Sequence, residues 1–469
     1  MKQLVVSPPD HGREVLFQTN NMRPDVPGLL CPHGCSYMAC RGLALSPVKD
    51  AFVITHGPVG CGYFAWGGLR STDEDIGIAY QGYFFSTSLE EDDIVFGGEK
   101  KLEKAIDEAV ELFHPPVILV CSTCPAGLIG DDLDAVAKAA AMRHGIQVIP
   151  VACEGFKNVP GFRLSNYNMI DRIMGTADKD IAPFAVNMVG EYYTGETGKE
   201  IEEILNRAGI EVVSSLMGDS SIEEIRCGHL AGLNVFMSGK PVQDIVRYAA
   251  DKFKTGWIAA NFFGIKNLVD SFIGIAAFFK DEELLKKMKT EMQKRKREAE
   301  LALEPYKKEF GGLCAVLSED GFQTDCFCAV LEDLGVQCAV VRGEDGATLY
   351  SAIQNENYEV FVPEACAGRV DGAPAERTEA PGGFVLKLHG KENASALLNK
   401  FAPDLCFWNL KDEFNMTGGI RPLGFETDEH YVHFGGFCGT VDFARQLMRG
   451  VAMARWRENM LQEQRRLEG

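Results

Sequence analysis

The hydrophobic residues of this chain fall into short runs that alternate with longer amphipathic stretches. After Asp50, the β-rich runs AFVITHG, PPVILVCS and IQVIPV are separated by KKLEKAIDEAVELF and DDLDAVAKAAAMRHG. The separating segments place their apolar residues at helical spacing. Alternation of strands and helices predicts a parallel sheet with helices on both faces.

The same pattern restarts twice further along the chain. A second α/β unit is predicted from FAVNMVGEY, GKEIEEILNRAG, EVVSSLMG and TGWIAANFFG, and a third from GGLCAVLSEDG, CAVVRG, YEVFVPEA and PDLCFWNL. A charged helical stretch from about Asp281 to Lys308 is expected to connect domains and to present a solvated face. GEDGAT and GAPAERTEAPGG are interpreted as glycine-containing turns, and neither provides a nucleotide-binding motif.

A length of 469 residues predicts about three domains. The pattern places an N-terminal arm at 1–30 and a first α/β domain at 31–185. A second α/β domain with the connecting helix is predicted at 186–308, and a third with a C-terminal helix at 309–469.

Composition narrows the range of partners. The 47 basic and 67 acidic residues give a net charge of −20, which disfavours nucleic acid and anionic membranes. With no long apolar run and no signal-peptide pattern at the N-terminus, the prediction is a cytoplasmic protein without a membrane partner. The fifteen cysteines are then expected to be reduced thiols.

Two cysteines follow predicted strands directly. Cys61 lies in HGPVGCGYFAWGG after AFVIT, and Cys124 lies in CSTCPAGLIGDD after PPVILV. The carboxyl ends of strands border the crevice in which open α/β sheets bind ligands. Cys124 also precedes a predicted helix, whose dipole favours a thiolate, and Pro125 is expected to keep Cys124 out of helical conformation.

A third candidate ligand lies in CPHGCSYMAC, where Cys31, Cys35 and Cys40 are all open to that role. Two other interpretations compete with a metal site. Buried cysteines commonly pack as small hydrophobic residues. Cys121 and Cys124 also form a CxxC, the spacing of a thioredoxin-type redox pair.

The segments THGPVGCGYFAWGG, DIVFGGEKKL, CPAGLIGDD, VACEGF, VNMVGEY, GDSSIEEI and NFFG resemble the nitrogenase component-1 family. The resemblance implies three Rossmann-like α/β domains with parallel sheets. It also implies an α-type subunit whose Cys35, Cys61 and Cys124 hold an iron–sulfur cluster, of P-cluster type or [4Fe-4S], shared with a β-type subunit. A four-iron cluster usually takes four protein ligands, so three cysteines require completion by a partner chain.

The resemblance further implies a second, complex iron–sulfur cofactor, but the chain departs from the family at its ligands. The cofactor cysteine's place falls on Ser238, beside Met237. The cofactor histidine's place falls on Gly435, with His433 and Cys438 as nearby alternatives. Dinitrogen is therefore not the expected substrate.

Two arginines are candidates for holding an anionic substrate or cofactor arm. These are Arg70 and Arg163, and structural ion pairing is the alternative for each.

The predicted function is the α-type subunit of a nitrogenase-like reductase, in a heterotetramer with β-type subunits. Electrons would come from an ATP-dependent iron protein to reduce a substrate other than, or besides, dinitrogen, with carbon–sulfur bond cleavage favoured. A cofactor-assembly scaffold, a true nitrogenase α subunit, a tetrapyrrole reductase and a metal-free flavodoxin-like module are the alternatives.

Overall fold

The computed structural model describes most of the chain from Cys35 onward. The described residues are 35–45, 48–66, 85–156, 161–190, 195–237, 240–319, 322–344, 349–373, 375–407, 410–422 and 434–468. Within them the strands form three separate sheets.

The first sheet has four parallel strands in the order β2–β1–β3–β4. The strands are β1 (Ala51–His56), β2 (Phe85–Ser86), β3 (Val117–Ser122) and β4 (Gln147–Val151). Every residue of β1 and β3 is buried, as is usual for central strands of a parallel sheet covered on both faces. The predicted first α/β unit is confirmed.

The helices around this sheet include the predicted amphipathic segments. They are α1 (Ser36–Met38), α2 (Val59–Trp66), α3 (Glu91–Phe96), α4 (Glu99–Phe113), α5 (Cys124–Ile129), α6 (Leu133–His144) and α7 (Gly161–Arg172). A π-helical segment, Ala39–Leu45, follows α1. Helix α4 buries Leu102, Ile106 and Ala109, which helical spacing places on one face.

The second sheet is again parallel, in the order β6–β5–β7–β8. Its strands are β5 (Ala185–Val189), β6 (Glu211–Leu216), β7 (Leu233–Phe236) and β8 (Gly256–Ala259). The helices that follow in the chain are α8 (Gly195–Ala208), α9 (Ile222–Cys227), α10 (Lys240–Phe253), α11 (Ile265–Phe278) and α12 (Glu282–Phe310).

The third sheet has six strands in the order β12–β13–β11–β10–β9–β14. Its strands are β9 (Cys314–Ser318), β10 (Gln337–Gly343), β11 (Asn357–Pro363), β12 (Glu376–Ala380), β13 (Gly383–His389) and β14 (Leu405–Cys406). Its helices are α13 (Phe322–Asp333), α14 (Leu349–Asn355), α15 (Lys391–Phe401), α16 (Leu410–Glu413) and α17 (Gly436–Glu468). Strands β14, β9 and β10 are parallel, whereas β11, β13 and β12 extend the sheet in antiparallel fashion.

The interpretation of GAPAERTEAPGG as turns was wrong in part. Its residues Glu376–Ala380 form β12, which pairs with β13 from Glu376↔Lys387 to Ala380↔Gly383. Strand β12 lies at the sheet edge and is largely exposed, so its sequence lacks the apolar alternation that reveals a half-buried strand.

The two longest helices in the described part of the chain are α12 and α17. Helix α12 matches the predicted charged connector, and exposed pairs such as Lys287–Glu283 (3.0 Å) lie on its surface. Neither α12, α17 nor any other described helix is long and apolar enough to cross a membrane.

The described chain divides into two compact units. The first unit contains the described residues up to Asn261 together with Ser271–Glu291. The second contains Phe262–Asp270 and the described residues from Met292 onward. The first and second sheets thus lie in one unit and the third sheet in the other. The domain boundaries at residues 31, 186 and 309 stay predictions.

Most described cysteines are free thiols, as expected from the composition. Cys314 and Cys366 are the exception, since they are joined as a disulfide. The expectation that all fifteen thiols are reduced was wrong for this pair.

Candidate metal centre

The candidate site lies at the carboxyl ends of the first sheet's strands. Because β1, β3 and β4 are parallel, the loops that follow them leave the same edge. Cys61 follows β1, in α2, and Cys124 follows β3 as the first residue of α5. Gly155 lies four residues beyond the end of β4.

The three cysteines predicted as ligands are neighbours, and two of them, Cys35 and Cys124, lie against Gly155. A Cβ atom placed on Gly155 would lie 2.8 Å from Cys35 Sγ and 3.1 Å from Cys124 Sγ, so only glycine leaves both sulfurs their positions. Burial raises the pKa of the Cys61 thiol, and the neighbouring Cys35 and Cys124 raise this pKa further. All three thiols are partly exposed, and we call the group of Cys35, Cys61 and Cys124 the open site.

Hydrogen bonds hold the loops that carry Cys61 and Cys124 together. The Thr123 hydroxyl donates to the His56 carbonyl (2.9 Å), which also accepts from the Thr123 N–H (3.1 Å). The Gly57 N–H donates to the Thr87 hydroxyl (3.1 Å). The backbone on both sides of the site is therefore fixed by bonds between loops rather than by the cysteines alone.

A buried histidine extends this network towards α4. His56 Nε2 lies 2.8 Å from Asp131 Oδ2, and Asp131 Oδ1 accepts from the Gly98 N–H (3.0 Å) just before α4. Burial lowers the pKa of His56, although its hydrogen bond to Asp131 opposes this shift. The ends of β1, α5 and α4 thus share one hydrogen-bonded network.

Apolar side chains are exposed beside the cysteines. Helix α2, which carries Cys61, exposes Val59, Tyr63 and Phe64, and Phe156 is exposed next to Gly155. Exposed apolar side chains clustered near a site are typical of protein contacts.

The other cysteines considered as ligands or as a redox pair are Cys31, Cys40 and Cys121. Cys40 and Cys121 are fully buried, and their sulfurs lie 3.8 Å from each other. The CxxC residues Cys121 and Cys124 therefore belong to different thiol groups, which argues against a thioredoxin-type pair. Cys31 lies outside the described residues.

The expectation about Pro125 was wrong. Helix α5 begins at Cys124 itself, with Thr123 as the N-cap residue. Proline is tolerated in a first helical turn because its missing N–H has no partner there.

The predicted ligands of a second cofactor are mostly not described. Ser238 and His433 lie outside the described residues. Cys438 is exposed in the first turn of α17, whereas Met237 is buried in the first unit.

The arginine predictions have separate outcomes. Arg163 Nη2 pairs with Asp244 Oδ2 at 2.8 Å, as the ion-pair alternative for this residue predicted. Arg70 lies outside the described residues.

A set of α/β sheets with clustered thiols at strand ends is typical of a multidomain α/β metalloprotein. The family described as "Nitrogenase component 1 type Oxidoreductase" matches residues 35–452, and the chain belongs to this family. The predicted family and fold class are confirmed.

Relatives of known name indicate an α-type member. The chain is 36% identical to the nitrogenase molybdenum-iron protein alpha chain of Methanosarcina barkeri, over 92% of this chain and 88% of the relative. It is 29% identical to the nitrogenase iron-molybdenum cofactor biosynthesis protein NifE of Methanococcus maripaludis, over 92% and 86%. The solved structure "Nitrogenase Cp1 at pH 5" matches with a TM-score of 0.69 and 28% identity, covering 93% of this chain and 92% of that one.

Proposed function

We propose that the chain is the α-type subunit of a nitrogenase-like two-component reductase and holds an iron–sulfur cluster through Cys35, Cys61 and Cys124. The observation that carries this proposal is the clustering of three partly exposed thiols, two of which lie against Gly155. Neither dispersed core cysteines nor a redox pair accounts for that arrangement.

The residues fit such a cluster in three respects. Thiolates are the usual protein ligands of iron–sulfur clusters. The absent side chain of Gly155 leaves room beside the Cys35 and Cys124 sulfurs. The set is one thiolate short of four ligands and open to the surface, so a β-type subunit is the proposed source of the remaining ligands.

An iron–sulfur cluster, when bound, supplies one-electron transfer. The chain's own residues bind, orient and shield it. The three cysteine thiolates would hold it. The hydrogen bonds of Thr123 and Gly57 would fix the positions of the two loops that carry Cys61 and Cys124. Val59, Tyr63, Phe64 and Phe156 would exclude water once covered by the partner.

Two positions of the chain support a substrate other than dinitrogen. The positions that align with the family's second-cofactor ligands carry Ser238 and Gly435. We propose Ser238, His433 and Cys438 as contacts of any second cofactor, with the exposed thiol of Cys438 as its soft ligand. Reductive cleavage of a carbon–sulfur bond is the favoured reaction, and tetrapyrrole reduction is the alternative within this class.

Turnover by the assembled protein tests this function. The chain is purified anaerobically with its β-type partner and assayed with an iron protein, ATP and an organic thioether. Thiol release that requires ATP is the expected result. Iron-loaded protein that reduces dinitrogen but no thioether would instead identify a true nitrogenase α subunit.

The Gly155→Ala substitution tests the site directly. The new methyl group would lie about 3 Å from two ligand sulfurs, so we expect the iron content to fall by at least half. Iron is counted per purified αβ pair. Gly60→Ala is the matched control, since a Cβ there meets nothing within 4 Å, and equal iron loss in both variants would contradict the assignment.

A second exposed apolar surface suits docking of the electron donor. Helices α3 and α5 lie next to each other, and Val95, Phe96 and Leu128 are 72%, 85% and 75% exposed on them. We call these three residues the α3–α5 patch. Its place beside Cys124 gives a bound donor a short path to the thiol site.

Phe96→Asp is expected to raise the KM for the iron protein at least about tenfold while leaving the iron content unchanged, because exposed aromatic residues often dominate interface energy. Steady-state titration with the iron protein measures this. Leu112→Asp is the control: Leu112 is also exposed, but lies towards the other end of α4, about 20 Å along the helix axis from its start. A comparable rise in KM for Leu112→Asp would argue against the α3–α5 patch.

A cofactor-assembly scaffold is the second candidate, because relatives of similar identity are named as cofactor biosynthesis proteins. A scaffold would pass preassembled metal cofactor to another apoprotein and would show no turnover. The same purified assembly, incubated with an apoprotein acceptor, distinguishes the two functions.

A further inference from the structure

A second group of three cysteines lies inside the first unit, apart from the open site. Cys40 is in the π-helical segment, Cys121 is in β3 and Cys153 is two residues beyond β4. Their sulfurs all lie within 4.8 Å of one another, with Cys40 and Cys121 at 3.8 Å. All three side chains are completely buried. We call this group the buried thiol triad.

The spacing of the triad fits one metal ion. Thiolates bound to a single ion through bonds of about 2.3 Å lie about 3.8–4.0 Å apart. In a polynuclear cluster each thiolate binds a different metal atom, so the sulfurs lie further apart. Among the described residues, the triad is the only group of three histidine, cysteine or carboxylate ligand atoms that all lie within 4.8 Å of one another. The sulfurs of Cys35, Cys61 and Cys124 are spaced more widely. The two sites therefore differ in the kind of metal centre that they suit.

The surroundings of the triad are buried and apolar. Burial raises the pKa of Cys40 and of Cys153, whereas hydrogen bonds from these two thiols lower the pKa of Cys121. The Cys153 N–H donates to the Ser122 hydroxyl (3.2 Å), which fixes the backbone that carries the third thiol. Three buried sulfur donors form a soft ligand set in a dry environment.

We propose that Cys40, Cys121 and Cys153 bind a single thiophilic metal ion. The ion is a soft cation of the copper(I) or zinc(II) class, held by sulfur alone. Copper(I) is the favoured occupant because zinc usually takes four ligands, and no fourth histidine, cysteine or carboxylate joins the triad within the described residues. Because the sulfurs are buried, the ion would enter while the chain folds.

Metal analysis of the unmodified protein tests the proposal without any substitution. The chain is produced with its partner in medium containing copper and zinc and is purified anaerobically. Copper, zinc and iron are then counted per chain. We expect about one equivalent of copper or zinc besides iron, with a sulfur-only first shell at about 2.3 Å in X-ray absorption at that metal's edge. Less than a tenth of an equivalent of either metal, or a first shell containing nitrogen or oxygen, would overturn the proposal.

Two variants place the ion at the triad. Cys40→Ser and Cys153→Ser should each lose the copper or zinc while retaining iron, which separates this site from the proposed cluster. Cys227→Ser is the matched control, because Cys227 is buried but lies outside the triad, and it should retain both metals. Retention of the ion in both triad variants would refute the assignment. Loss of iron with retention of the copper or zinc in both triad variants would refute it in the same way.

Discussion

Replacing Cys124 by alanine is expected to remove most of the cluster iron from the αβ assembly and to lower turnover by at least about 100-fold. Removing a residue that only hydrogen-bonds to a metal ligand commonly lowers metal affinity or activity by about 10–100-fold. Because Cys124 would bind the metal directly, we expect a larger effect. Its sulfur lies against Gly155 beside that of Cys35, at the proposed cluster position. Iron counting and a turnover assay on the anaerobic assembly measure both effects.

The matched control for this substitution is Cys227→Ala. Cys227 is buried at the end of α9 and has no part in the open site, so its iron content and turnover should match those of the unmodified assembly. The cluster assignment fails if Cys61→Ala and Cys124→Ala both retain full iron.

The Gly161→Ala substitution is expected to destabilise the first unit by about 3 kcal/mol, the upper end for overpacking of a core. Gly161 begins α7, where a Cβ atom would lie 1.6 Å from the Ser36 carbonyl oxygen and 2.9 Å from the Cys40 nitrogen. Both neighbours are backbone atoms, so no side-chain rotation relieves the clash. Scanning calorimetry should show the unfolding midpoint lowered by roughly 5–10 °C.

Gly368→Ala provides the comparison for stability. A Cβ on Gly368 meets nothing within 4 Å, so we expect its unfolding midpoint to stay within about 2 °C of the unmodified protein. Equal midpoints for Gly161→Ala and the unmodified protein would show that α7 does not pack against the Cys40 segment as described.

The sequence predicted the central strands well because burial on both faces leaves a local signal. The apolar runs alone predicted β1, β3 and β4, and the amphipathic pattern alone predicted α4. Strand β12 was missed because it is an exposed edge strand, stabilised by its pairing with β13 rather than by an apolar face of its own.

The open site was predictable to the level of its loops but not of its geometry. Cys61 and Cys124 follow strands whose carboxyl ends share an edge, and this is visible in the sequence. The choice of Cys35 came from the resemblance to the family. The role of Gly155 was not found, because it depends on sulfurs brought in from two distant segments.

The buried thiol triad left no local signal at all. Its members come from a π-helical segment, a strand and a loop. Cys40 and Cys121 are 81 residues apart, and two helices and a strand lie between Cys121 and Cys153. Cysteines within buried runs look like ordinary core residues until tertiary contacts bring them together. The sequence pattern therefore does not distinguish a cysteine of the core from a cysteine that binds metal.

The central claim is that Cys35, Cys61 and Cys124 hold an iron–sulfur cluster completed by a β-type subunit. The most direct test is electron paramagnetic resonance with iron counting on the anaerobic αβ assembly, on the isolated chain and on the Cys61→Ala assembly, each poised through oxidation and reduction. The account predicts a redox-active iron–sulfur signal in the unmodified assembly that is lost or much reduced in the other two. The same signal and iron content in all three samples would contradict it.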